Sequence, residues 1–211
     1  MKTFLFQGDS ITDANRSREW DSHLGIGYPL LFAGEYGYKY PYTFKFINKG
    51  VSGDRSVDVY ARIKRDIINI KPDYMSLLIG VNDVWHELSD NPNGVNTVKF
   101  ETIISMLIEE VKAALPDLKI FMLEPFVLKA SATEEKWDYF STEVKLRAEA
   151  VKNISERYNL IFVPLQEKFD KASENGEASF WLGDGVHPTT AGHALIKAEL
   201  SKAFDKILAA E

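Results

Sequence analysis

The sequence predicts an α/β fold: a three-layer α/β/α sandwich around a central parallel sheet of about five strands. Two observations predict it. Short apolar runs recur along the whole chain, and segments with apolar residues at spacings of three and four lie between them. Strand, helix and strand in succession make a βαβ unit, whose sheet is parallel and whose crossover is right-handed. No internal repeat, low-complexity stretch or linker interrupts the alternation, so residues 1–211 read as one domain.

The first strand is Thr3–Gln7. Its one Lys and few apolar residues are too short for a secretory leader. A helix follows around Tyr28–Tyr36, then a strand at Thr43–Asn48. Ser56–Ile70 reads as a helix, because Val57, Tyr60, Ile63, Ile67 and Ile70 fall on one stripe. Tyr74–Ile79 is nearly all apolar, as a strand covered on both faces should be. Phe100–Leu115 repeats the helical stripe with Ile103, Ile104, Leu107, Val111 and Leu115, and Pro116 ends it. The strand Lys119–Leu123, a helix over about Ala132–Arg157, the strand Leu160–Val163 and a helix over about Thr189–Leu208 complete the chain.

Composition narrows the function classes. The 211 residues carry a net charge of -6 with a sequence pI of about 5.3, which is no basic footprint for nucleic acid. There are no cysteines, which excludes disulfides, thiolate catalysis and cysteine-bound metal. No run approaches the roughly 20 apolar residues that span a bilayer. The expectation is a soluble cytoplasmic protein, monomeric or homo-oligomeric, with no membrane or nucleic-acid partner.

Four glycine-bearing polar breaks follow strand runs or precede helices. They are Gly8-Asp9-Ser10-Ile11-Thr12, Gly50-Val51-Ser52-Gly53, Gly80-Val81-Asn82-Asp83 and Asp184-Gly185-Val186-His187-Pro188. In an open parallel sheet, ligands sit outside the carboxyl ends of the strands. Ser10, Gly53 and Asn82 each follow a strand run, so all three fall on that edge. A serine needs a base to act as a nucleophile. Of the four histidines, His187 is the candidate, because Asp184 lies three residues before it and can orient its ring. His193 reads as a structural histidine on a helix, His86 as a neighbour of the site mouth, and His23 as a loop residue. Fixed donors for an oxyanion are available from the amide N–H groups of Ser10 and Gly53 and the side chain of Asn82. Each break alone has a plainer reading: a helix cap at Asp9 or Ser10, turn glycines, a loop Asn-Asp pair, a cap beside a surface histidine. Their joint occurrence argues for one assembled site.

These four blocks resemble those of the SGNH (GDSL) hydrolases. Ser10, Gly53, Asn82 and His187 fall on the family's four named positions, and Asp184 on the aspartate of its triad. The resemblance implies a flavodoxin-like sandwich and serine esterase, lipase or deacetylase activity, with no metal and no cofactor. The nucleophile block reads GDSIT, and no Gly-x-Ser-x-Gly elbow is present, so the α/β-hydrolase fold is not implied. The segments GDSITDANR, GYPLLFA, INKGVSG, IGVNDVWHE, EPF and DGVHPTTAGH are similar to an intracellular branch that deacetylates xylo-oligosaccharides. That branch implies an acetylated oligosaccharide, or another small acyl ester, as the partner. It makes Trp85, Trp181, Asp9 and Arg16 candidate substrate-binding residues. Trp20, Trp85 and Trp181 offer rings for a sugar, and equally for a core. The alternative is a lysophospholipase or thioesterase acting on longer acyl chains. The polar stretch after Asn82, HELSDNPNGVN, weighs against an acyl groove. A carbohydrate-binding module without catalysis predicts a missing triad residue, and none is missing. A metal-dependent phosphoesterase needs a further histidine cluster, which the sequence lacks.

Overall fold

The computed structural model describes residues 1–210. Five strands form one parallel sheet: β1 (Lys2–Gly8), β2 (Phe44–Asn48), β3 (Tyr74–Leu78), β4 (Lys119–Leu123) and β5 (Ile161–Val163), in the order β2-β1-β3-β4-β5. In register, Phe4 lies opposite Phe46 on one side and Tyr74 on the other. The order reverses at β1, so the second crossover runs back over the first. That switch point opens the crevice in which a doubly wound sheet binds its ligand.

The helices, in chain order, are α1 (Ser10–Asp13), α2 (Tyr28–Lys39), α3 (Ser56–Ala61), α4 (Ile63–Asp66), α5 (Val81–Trp85), α6 (Thr97–Ala114), α7 (Trp137–Tyr158), α8 (Gln166–Ser173), α9 (Ala178–Trp181) and α10 (Thr190–Leu208). Alternation along β1 divides the core into two layers. Phe4 and Phe6 face α2 and α10, and Leu5 faces the opposite side. The first layer is aromatic: the Phe4 ring stands 4.7 Å from Phe32 and edge-on to Phe204 at 5.2 Å. The second is aliphatic, with Met75, Leu77, Ile120 and Met122 against Ile104, Leu107 and Ile154 of α6 and α7. Rings placed edge-on add to what their buried area alone contributes.

The expected helix over Ser56–Ile70 is broken into α3, α4 and a 3-10 turn at Ile68–Ile70. The backbone leaves the helical region at Arg62 (φ -109°, ψ 14°) and at Ile67 (φ -132°, ψ -68°). Arg62 donates to the carbonyls of Lys49 and Gly8 and pairs with Asp54 and Asp66. The β-branched run Ile67-Ile68 lowers helix propensity at the second break. The helix expected from Ala132 starts at Trp137, since residues 130–133 form a turn through Thr133. α6 starts at Thr97 because the Asn96 side chain caps it, accepting the Lys99 amide at 2.9 Å. Among the described residues, no helix is long and apolar enough to cross a membrane, and no cluster of side chains could hold a metal ion.

Candidate active site

Ser10 is the first residue of α1, a single turn directly after β1. Asp9 caps that turn: its Oδ1 accepts the Ile11 amide at 3.0 Å. Asp9 is 1% exposed. Burial pushes its carboxyl up to about 7, and Asp83 and Asp54 push the same way. Asp9 is therefore removed from the substrate-binding candidates. It shapes the turn that presents Ser10 and touches no open space.

The Ser10 hydroxyl lies 2.9 Å from Nε2 of His187, and Nδ1 of His187 lies 2.7 Å from Oδ2 of Asp184. The other oxygen of Asp184 accepts the amides of Val186 and His187 at 2.9 and 2.8 Å. Burial alone would raise the Asp184 carboxyl. Those two amides and the imidazole outweigh it and hold Asp184 below the usual carboxylate range. With a carboxylate at Nδ1, the neutral ring keeps its proton there and leaves Nε2 as an acceptor for the serine hydroxyl.

The loop holding Asp184 and His187 is pinned at both ends. Leu182 and Pro188 form an antiparallel bridge across it, and the Gly183 amide donates to the His187 carbonyl at 2.9 Å. Gly185 sits at φ +101°, and a Cβ there would meet the Leu128 carbonyl at 2.5 Å. The segment before α7 braces the loop from outside: the Leu128 amide donates to Gly185, and the Ala132 amide to Asp184. Nothing in the sequence marked this bracing segment, because its contribution is made by backbone groups.

The second block is tied to the first by Asp13, buried at the end of α1. Its Oδ2 accepts the amide and hydroxyl of Ser52 at 2.9 and 3.1 Å. Asn48 adds a second tie, accepting the Gly50 amide and donating to the carbonyls of Thr12 and Leu24. These ties bring Gly53 to the site at φ +85°, a conformation glycine adopts without steric cost. The amide N–H groups of Ser10 and Gly53 find no acceptor among the described residues. Asn82, on α5, donates one amide hydrogen to the Asp54 carbonyl at 3.0 Å. Its neighbour Asp83 accepts the Ser56 amide and hydroxyl, which fixes α5 against α3.

Arg16 is half-buried, and its guanidinium donates to the carbonyls of Gly50 and Ser17. It is a strut between α1 and the Gly50 loop, with Nε and Nη1 committed within the fold. Trp181 lies half-buried against the aromatic core layer, edge-on to Phe180 at 5.1 Å. That position is the core-filling reading of this ring. Trp85 is half-buried between Phe140 and His187, with ring centroids 5.7 and 5.8 Å away, and it flanks the imidazole. His23 is exposed in a loop, and His86 is half-buried in the 3-10 turn after α5. Trp20 is 70% exposed.

A cavity of ≈ 370 Å³ opens beside Ser10 and His187, walled by Asn15, Ile26, Ser52 and His193. A larger hollow of ≈ 660 Å³ lies at the start of α6, around Asn96 and Lys99. It contains no nucleophile beside a base, so the smaller cavity is the candidate site. The arrangement can withdraw a proton from a serine and hold a negative oxygen among neutral N–H donors, which is the chemistry of acyl transfer.

Known proteins bear on this reading. The GDSL-like lipase/acylhydrolase family model matches residues 6–195. The acetylxylan esterase of Geobacillus stearothermophilus is 32% identical over 201 residues, which cover 91% of this chain and 89% of that protein. A crystal structure of that enzyme matches at a TM-score of 0.85 and 31% identity, covering 96% of this chain and 93% of that one. A structure from Parabacteroides merdae described as a GDSL-like lipase matches at a TM-score of 0.90 and 33% identity, covering 96% and 94%.

Proposed function

The chain belongs to the GDSL-like lipase/acylhydrolase family and is a carboxylic ester hydrolase, and from that premise we propose that it removes O-acetyl groups from xylo-oligosaccharides or related sugars through an acyl-enzyme on Ser10. One observation carries the mechanism: the unbroken path from Ser10 Oγ through the His187 ring to Asp184. Ser10 Oγ attacks the acetyl carbonyl while Nε2 of His187 takes its proton. Asp184 stabilises the imidazolium that forms. The carbonyl oxygen becomes an oxyanion and is received by the amides of Ser10 and Gly53 and the side chain of Asn82. When the tetrahedral intermediate collapses, His187 gives its proton to the departing sugar hydroxyl. Water then attacks the acetyl-Ser10 ester by the same route, and acetate leaves.

The substrate reading rests on three supports. The relative from G. stearothermophilus carries the name acetylxylan esterase, and its structures also describe it as an acetyl-xylooligosaccharide esterase. Two further structures of that enzyme, described as catalytic mutants, replace a serine and an aspartate. The cavity beside Ser10 is small and mixes polar Asn15 and Ser52 with apolar Ile26, which suits an acetylated sugar better than a long chain. The test is kcat/KM for acetyl, butyryl and octanoyl aryl esters, with acetate release from acetylated xylobiose and xylotriose. Preference for octanoyl esters and no acetate from the sugars would replace this reading with that of a long-chain lipase or thioesterase.

A further inference from the structure

The wall of the cavity beside Ser10 holds a second imidazole that ester cleavage does not use. His193 lies in the first turn of α10 and is buried. Its Nδ1 accepts the Tyr28 amide N–H at 3.2 Å. A neutral imidazole that accepts at Nδ1 carries its proton on Nε2. Burial pushes His193 down to about 4, and the proximity of His187 works in the same direction, so the ring is neutral where serine esterases act.

The groups facing the ring allow little movement. The Tyr28 ring of α2 stacks on it at 6.4 Å, and Gly27 approaches so closely that a Cβ there would lie 2.8 Å from Cε1. The ring lines the same cavity as Ser10, His187 and Ser52. Its Nε2–H has no acceptor among the described residues, and it is not one of the polar atoms sealed from solvent. The fold thus holds a locked, uncharged donor beside the nucleophile.

Resting on the deacetylase reading, we propose that His193 Nε2–H binds an oxygen of the sugar that carries the ester, a hydroxyl or the ring oxygen, and so selects sugar esters over esters of alcohols without further oxygens. The oxyanion already has its own donors, so this one serves the alcohol half of the substrate. Once substrate fills the cavity and displaces water from this donor, discrimination comes mainly by rejection. An alkyl or aryl alcohol leaves it unpaired, whereas a sugar satisfies it.

Two substitutions separate this role from mere support of Tyr28. In His193→Asn, the side-chain oxygen can replace Nδ1 as acceptor for Tyr28, and the distal donor is lost. In His193→Gln, the terminal amide can reach the position of Nε2 and restore a donor. The expected result is a fall of roughly 10-fold to 100-fold in the ratio of kcat/KM for acetylated xylobiose over an aryl acetate in His193→Asn, the scale on which an unpaired buried donor acts. The loss should appear mainly in KM, with partial recovery in His193→Gln. An unchanged ratio in an enzyme that still deacetylates xylobiose overturns the assignment of His193 and leaves the deacetylase reading standing. A wild-type enzyme that releases no acetate from xylobiose overturns both. If neither variant folds, ¹⁵N-labelled Ser10→Ala protein is titrated with acetylated xylobiose. Movement of the His193 Nε2–H resonance supports the contact, and a stationary resonance at saturation overturns it.

Discussion

Ser10 and His187 stand 177 positions apart in the chain, yet the hydroxyl of one lies 2.9 Å from Nε2 of the other. Ser10 sits on a single helical turn and His187 in a loop, and a few hydrogen bonds, not the length of an element, hold each in place. The serine turn hangs on the Asp9 cap, and the histidine loop on the Leu182–Pro188 bridge.

Ser10→Ala should abolish turnover of an aryl acetate, by roughly 10⁴-fold or more, without changing the melting temperature. The Ser10 side chain bonds only to His187 among the described residues, so the fold loses little. Fluorophosphonate labelling should appear at Ser10 in the wild type and vanish in the variant. Near wild-type turnover in a folded variant would remove Ser10 as the nucleophile.

Asn82→Ala should lower kcat by about 10²-fold to 10³-fold with little change in KM, the scale for one oxyanion donor. The variant also loses the bond to the Asp54 carbonyl. A melting curve therefore accompanies the kinetics. An unchanged kcat would mean that Asn82 only fixes the Asp54 loop.

Nε2 of His187 can accept the Ser10 proton because the Asp184 carboxylate holds the ring proton at Nδ1. The hydrogen bonds of Asp184 hold its carboxyl below the usual carboxylate range despite burial. Asp184→Asn should cost up to about 10⁴-fold in kcat by releasing the ring to the other tautomer. An unchanged kcat in the folded variant would mean that Asp184 does not set the tautomer of His187.

Asp9→Asn should stabilise the protein at alkaline pH and leave it unaltered at acid pH. A buried carboxyl raised to about 7 keeps its proton in the folded state, while in the unfolded chain an aspartate has lost it above about 3.9. Between those values the folded state binds more protons, so stability falls as pH rises through the window. Asn is as good a cap as Asp and carries no charge. Above pH 7.5 the gain should be roughly 2–4 kcal/mol, and at pH 4 near zero. Urea unfolding at pH 4, 6 and 8 measures it; a pH-independent difference would mean that Asp9 is charged and compensated in the fold.

The five strands were legible, and the four blocks of the candidate site stand out, because each is written in local sequence. Tyr74–Leu78 is nearly all apolar and buried on both faces, and Ser10, Gly53, Asn82 and His187 occur in short, marked breaks. What escaped was everything decided by partners far away. The break at Arg62 depends on Asp54 and on the Gly8 carbonyl, neither of which lies in the same helical window. Asp13 looks like an ordinary loop acid, and its position between Ser52 and Arg18 appears only in three dimensions. Asp9, Arg16 and Trp181 show the converse. Each stands near a site block in sequence, and folding turns each one inward or commits it to a backbone carbonyl. α8 and α9 are too short for their periodicity to be read.

The bracing of the Asp184–His187 loop has a practical corollary. Its supports come from the bridge across Leu182 and Pro188, from residues 128 and 132, and from the cap of α10, while Ser10 arrives on the first strand. No contiguous fragment holds all of them. Hydrolysis is therefore a reporter of the completed topology: in a denaturant series the fraction of remaining activity counts molecules that are entirely native, and partly unfolded ones are silent. A chain cleaved between α6 and α7 should be mute as separate halves and regain its signal only when the halves reassemble, which makes this enzyme suited to fragment-complementation assays.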